Sequence, residues 1–126
     1  MNSAKERIME RFVEEEHLEE MATLRKQRSK LPVNLYLDDS GSWKNTGHGK
    51  RIKFQADKAD RPMTRDMIPM SIEDEPKILI KNPKISLSAS DLDKIKNFVR
   101  ANKVLLLQLS DTKIDIGEFL SKMKTE

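Results

Sequence analysis

The spacing of the apolar residues changes twice along this chain, and that change limits the folds open to it. Before Pro32 the apolar residues follow a helical repeat, and Ser3 with Glu6 matches the capping box that starts many helices. After Pro32 the repeat becomes two residues, as in strands with one buried face. The alternating segments are residues 33–37, 52–56 and 68–72, with shorter candidates at 77–80 and 85–87.

The last third of the chain returns to helical spacing. Ser88 and Ser90 precede an amphipathic segment over residues 92–99, and Asn102 marks its predicted boundary. Residues 104–109 are apolar on nearly every side, which fits a buried helix or a buried strand, and their leucine content favours the helix. Asp115 with Glu118 repeats the capping pattern before a short terminal helix. The predicted core positions are Ile95, Phe98, Val99, Leu106 and Phe119.

Together these segments predict an α+β fold with an N-terminal helix, a small antiparallel sheet of three to five short strands, and two to three C-terminal helices. Residues 14–16 are glutamates that interrupt the apolar stripe of the N-terminal helix. Such a helix suits packing on its own domain, association between copies, or docking on a partner. We therefore divide the chain into residues 1–31, an amphipathic appendage or association element, and residues 32–126, a compact α+β domain.

The absence of cysteine removes several chemistries at once. Disulfides, cysteine-ligated zinc, iron–sulfur clusters and thiol nucleophiles all require a residue type that this chain lacks. The sequence also has no apolar stretch of the length that a signal peptide or a bilayer span needs. We expect a cytoplasmic protein without a cofactor and without a membrane partner.

The positive charge of the chain is concentrated in one region. Residues 1–31 contain 7 basic and 7 acidic side chains, and residues 66–126 contain 10 of each. The net charge of +3 therefore arises between residues 32 and 65, and no acidic residue lies between Lys44 and Lys53. We call residues 44–53 the basic hairpin. Its charge predicts contact with phosphate groups or with an acidic partner, although solvated surface lysines give the same pattern.

The candidate binding residues are Trp43, Lys44, His48, Lys50, Arg51 and Lys53. Trp43 lies beside Lys44, and an aromatic that can stack on a base next to a cation that can meet phosphate is the arrangement that binding of single strands uses. With so few aromatic residues in the chain, we favour the alternative that Trp43 folds back over the hairpin as its main packing anchor. The segment fails the P-loop pattern, because Arg51 stands where that pattern needs Ser or Thr.

Asp38, Asp39 and His48 are the catalytic candidates of an alternative function, a small metal-dependent enzyme directed at phosphodiesters. A simpler role for the two aspartates is to cap N–H groups of a turn, and the histidine spacing predicts no metal site. We expect instead a non-enzymatic interaction or regulatory protein that contacts nucleic acid or a protein partner through the basic hairpin. A structural subunit that associates with further copies through the N-terminal helix is a third alternative.

Overall fold

The computed structural model describes residues 21–45, 49–62, 67–81 and 83–125. These residues form an antiparallel sheet in the order β1-β2-β3-β4, followed by three helices of seven or more residues. The strands are β1 (Met21–Leu24), β2 (Leu35–Asp38), β3 (Arg51–Gln55) and β4 (Met67–Ser71). The helices are a single turn, α1 (Lys26–Ser29), then α2 (Ala89–Ala101), α3 (Lys103–Ser110) and α4 (Ile116–Lys122), and a 3-10 helix covers Ser42–Asn45. The α+β prediction is confirmed.

One face of the sheet packs against the helices. The two-residue alternation places Leu35 and Leu37 of β2, Ile52 and Phe54 of β3, and Met70 of β4 on this face, where all are buried. The helices contribute the predicted core positions Ile95, Phe98, Val99, Leu106 and Phe119 to the same apolar cluster. Residues 104–109 lie within α3, so the helix favoured for this segment is confirmed.

Side-chain caps fix where α2 and α4 begin. The Ser88 hydroxyl accepts from the Asp91 backbone N–H while the Asp91 carboxylate accepts from the Ser88 N–H, which forms a capping box before α2. The Asp115 carboxylate accepts from the Glu118 N–H at 2.7 Å and caps α4, as the sequence pattern predicts. These caps satisfy N–H groups that a helix leaves without an internal partner.

The opposite face of the sheet is polar near β2 and β3. The Gln55 side-chain oxygen accepts from the Asn34 amide at 2.7 Å and from the Tyr36 hydroxyl at 3.0 Å, and all three residues are buried. The Asn34 side-chain oxygen accepts in turn from the Lys26 backbone N–H. Nothing in the apolar periodicity marks this polar cluster, because alternation distinguishes the two faces of a strand without showing what covers the polar one.

Two of the sequence predictions need correction. The predicted N-terminal helix does not extend through Met21–Leu24, which is a strand, because pairing with β2 supplies its backbone hydrogen bonds and buries Leu24. The rest of that helix, residues 1–20, lies outside the described residues, and the division of the chain at residue 31 stays a prediction. Of the two short strand candidates, 77–80 forms only the bridge between Ile78 and Met70, and 85–87 has no ladder.

Within the described residues, no helix is both long enough and apolar enough to cross a bilayer.

The core predicts how two substitutions affect stability. Phe119 is fully buried, so Phe119→Ala should lower the free energy of unfolding by about 3–5 kcal/mol, through lost burial and the cavity left behind. Val104 is 66% exposed, and Val104→Ala should change that free energy by less than about 0.5 kcal/mol. Urea denaturation measures both changes in free energy. Equal losses from the two substitutions would contradict the orientations of α3 and α4.

Candidate functional site

The Asp38 carboxylate organises the start of the loop between β2 and β3. Its Oδ1 accepts from the backbone N–H groups of Ser40, Gly41 and Ser42 at 3.0–3.2 Å, and its Oδ2 accepts from the Trp43 N–H at 2.9 Å. Asp38 is only 5% exposed. A carboxylate bound by several N–H groups holds its turn in one conformation, and Asp38 therefore positions Trp43 at the beginning of the 3-10 helix.

Trp43 attaches the loop to the C-terminus of α3. Its indole Nε1–H donates to the carbonyl oxygen of Ser110 at 3.0 Å, and the side chain is half-buried. Gly41 passes the same carbonyl with a φ of 76°, a conformation that favours glycine. The Ser110 carbonyl belongs to the last turn of its helix, where carbonyls lack intrahelical partners. Trp43 therefore makes the contact expected of a packing residue.

Two lysines of the basic hairpin lie next to the Trp43 ring. The Lys50 and Lys44 ammonium groups are 5.2 Å and 5.9 Å from the ring centroid, within the range of a cation–π interaction. Lys50 also donates to Asp111 Oδ2 at 2.6 Å. This hydrogen bond, opposed in part by desolvation and assisted by the charges of Lys50, Lys113 and Lys44, lowers the pKa of the Asp111 carboxyl. Asp111 thus offsets part of the positive charge of Lys50 and holds its ammonium group in place.

Arg51 and Lys53 lie on β3, on the sheet face opposite the helices. In the register, Arg51 pairs with Ser71, and Lys53 lies between Tyr36 and Pro69. Lys53 is half-buried, and this burial, together with the charge of Arg51, lowers the pKa of its ammonium group. The candidate binding residues therefore divide between the loop, which carries Trp43, Lys44 and Lys50, and the sheet face, which carries Arg51 and Lys53.

Of the three catalytic candidates, the structure describes only Asp38 and Asp39. Asp38 uses both carboxylate oxygens to hold the loop backbone. Asp39 is partly buried, which raises the pKa of its carboxyl, and the nearby Asp38 charge adds to this effect. His48 lies outside the described residues. Within the part of the chain that the structure describes, no three His, Asp or Glu side chains cluster as a metal site would require.

Sequence reasoning missed the two residues of the C-terminal region that bind the loop through hydrogen bonds, Ser110 and Asp111. Ser110 and Asp111 are 67 and 61 positions away from their partners Trp43 and Lys50. Neither residue belongs to a motif, and no periodicity relates the end of α3 to the basic hairpin. The one relevant feature of the sequence is Asp111, two positions after the leucine-rich residues 104–109. A cation from elsewhere in the fold can pair with its carboxylate.

Comparison with known proteins gives no functional lead, since no family model, no curated protein and no solved structure matches the chain. The geometry of the basic hairpin and its surroundings therefore carries the functional argument.

The adjacent aspartates offer a matched pair of substitutions. Asp38→Ala removes the acceptor of four backbone N–H groups and should lower the free energy of unfolding by about 2 kcal/mol, as loss of a strong cap does. Asp39→Ala should change it by less than about 0.5 kcal/mol, like most substitutions outside the core. Thermal and urea denaturation report both effects, and a smaller loss at Asp38 than at Asp39 would contradict the capping role.

The Lys50–Asp111 contact predicts a pH dependence. Because the pKa of Asp111 is lowered in the folded protein, the contact stabilises the fold above the ordinary aspartate pKa of about 4. That contribution is lost as the pH falls through the lower folded-state pKa. Asp111→Asn should therefore be less stable than the parent protein at neutral pH, and the difference should disappear once the pH lies below the folded-state pKa of Asp111. A stability difference that is the same at both pH values would contradict the ion pair.

Proposed function

We propose that this chain is a non-enzymatic interaction protein that contacts the phosphate groups of a nucleic acid through the basic hairpin. The observation that carries the proposal is the placement of the Lys44 and Lys50 ammonium groups around Trp43, which is itself attached to α3 through Ser110. Cations held in this way lose less conformational freedom on binding than lysines on a mobile loop.

The charge distribution supports a polyanionic partner. Four cations occur within ten residues without an acidic residue among them, whereas the flanking regions are balanced in charge. Asp111 offsets part of the Lys50 charge, so that Lys44, Arg51 and Lys53 supply most of the remaining positive potential. A local excess of this kind attracts phosphates and releases the counterions condensed on a nucleic acid.

The contacts of Trp43 favour binding to the phosphate backbone over stacking on bases. Its indole N–H donates to the Ser110 carbonyl and its ring lies beside two ammonium groups, so its role is to position those groups. We therefore expect similar binding to single-stranded and duplex oligonucleotides. The enzyme alternative would require the Asp38 carboxylate to leave four backbone N–H groups without their acceptor, which argues against it.

Salt dependence tests the proposal. Fluorescence anisotropy of a labelled oligonucleotide should show binding that weakens steeply as salt increases from about 50 to 200 mM. Replacing Lys44, Lys50, Arg51 and Lys53 with Gln should remove most of that binding. Trp43→Ala should weaken binding to single strands and duplex alike, because it releases the lysines rather than a stacking surface.

A matched variant controls for total charge. Lys81, Lys84, Lys94 and Lys124 are exposed lysines outside the basic hairpin, and their replacement with Gln removes the same four charges. This variant should retain most of the affinity. Equal loss in both variants would show that binding follows net charge alone. No binding of the parent protein up to roughly 100 μM at low salt would exclude nucleic acid as the partner, since non-specific binders reach that affinity.

A further inference from the structure

A groove on the sheet face opposite the helices combines positive charge with apolar side chains. It has a volume of about 270 Å³ and lies where residues 78–80 continue the sheet beyond β4. Leu79 and Ile80 are 42% and 44% exposed at its edge, and among the described residues Val104 is the only other large apolar residue that is exposed. The lining residues are Arg51, Lys53, Met67, Pro69, Leu79 and Ile80.

The basic wall of this groove suits an acidic occupant. Within the described residues, Lys53 takes part in none of the ion pairs, and its half-buried ammonium group lies near the positive charge of Arg51. A carboxylate placed beside Lys53 would offset the cost of burying that charge, while apolar groups of the same occupant would cover Leu79 and Ile80. The groove therefore fits a segment that is both acidic and apolar.

The first twenty residues of this chain have that composition. They contain seven glutamates and three basic residues, and five of the glutamates lie within residues 14–20. Ile8, Met9, Phe12 and Val13 supply apolar side chains. The composition of residues 1–20 thus complements both the charge and the apolar edge of the groove.

The point of attachment brings this segment next to the groove. Residue 20 is joined to Met21, which pairs with Asp38 at the end of the sheet where Arg51 also lies. Met21 and Arg51 line one small pocket together. The strand spacing separates β1 from residues 78–80 by about 20 Å. Twenty residues reach about 65 Å when extended, or about 30 Å as a helix, so the segment is long enough in either form.

We propose that residues 1–20 dock in the groove of their own chain, with glutamates beside Lys53 and Arg51 and with apolar side chains on Pro69, Leu79 and Ile80. A short connection to the sheet gives such a segment a local concentration on the order of millimolar, which favours it over a free peptide of the same sequence. If nucleic acid binds as proposed above, the segment would compete with phosphates for Arg51 and Lys53. That consequence rests on the proposed function, whereas the docking itself does not.

The lack of cysteine makes a direct test available. Ile80→Cys creates a single labelling position for a nitroxide at the groove, and Ser121→Cys places the same label on α4, in the helical layer on the other side of the sheet. In nitrogen-15-labelled full-length protein, the Ile80 label should broaden amide signals of residues 8–20 at least several-fold more than the Ser121 label does. Adding Leu79→Asp to the Ile80-labelled protein should restore those signals, because an acid at the exposed edge repels the glutamates.

The possible outcomes distinguish docking within one chain from docking of a second copy of the chain. Equal broadening from both labels, or no broadening from either, would overturn the proposal. A mixture of spin-labelled chains with nitrogen-15-labelled chains that carry no nitroxide shows only contacts between molecules. Broadening of residues 8–20 in that mixture, as strong as in the singly labelled protein, would identify a second copy as the occupant and would also overturn docking within one chain. No step uses nucleic acid, so this result is independent of the oligonucleotide titration.

Discussion

The Asp38 carboxylate determines how the chain leaves the sheet and where the basic hairpin lies. It is buried at the end of β2, where an unpartnered charge would be costly, and four successive backbone N–H groups from Ser40 to Trp43 surround it. The folding of this turn and the burial of this charge therefore require each other. Because the turn ends at Trp43, the same interaction directs the indole towards α3.

The C-terminal end of α3 binds Trp43 and Lys50 of the loop through electrostatic interactions. The last carbonyls of a helix lack intrahelical donors and carry partial negative charge, which favours N–H donors and cations. The Trp43 indole N–H donates to the Ser110 carbonyl, and Lys50 pairs with Asp111 one residue later. The apolar cluster beneath holds α3 against β2, so that the sheet and the helix fix the loop from two sides. Trp43 and Lys50 are therefore held by the folded domain.

Local patterns predicted the C-terminal helices, strands β2 to β4 and the Asp115 cap, because periodicity and capping depend on residues close in sequence. They failed at Met21–Leu24, where tertiary pairing with β2 overrides an apolar pattern that also fits a helix. For the site, the capping role of acidic residues in the turn and the packing of Trp43 were foreseen in kind. The partners of Trp43 and Lys50 were not foreseen, since the contacts to Ser110 and Asp111 join segments more than sixty residues apart.

Trp43 is the single tryptophan of the chain, so its fluorescence reports on this loop alone. The most direct test of the account is the time-resolved anisotropy of that fluorescence in the free protein at neutral pH. An indole held by Asp38 and Ser110 predicts that the anisotropy decays almost entirely with the overall tumbling of the molecule, and that Asp38→Ala introduces a large, fast component. A large sub-nanosecond decay in the parent protein would show that the indole moves independently, and would contradict a loop held by Asp38 and Ser110.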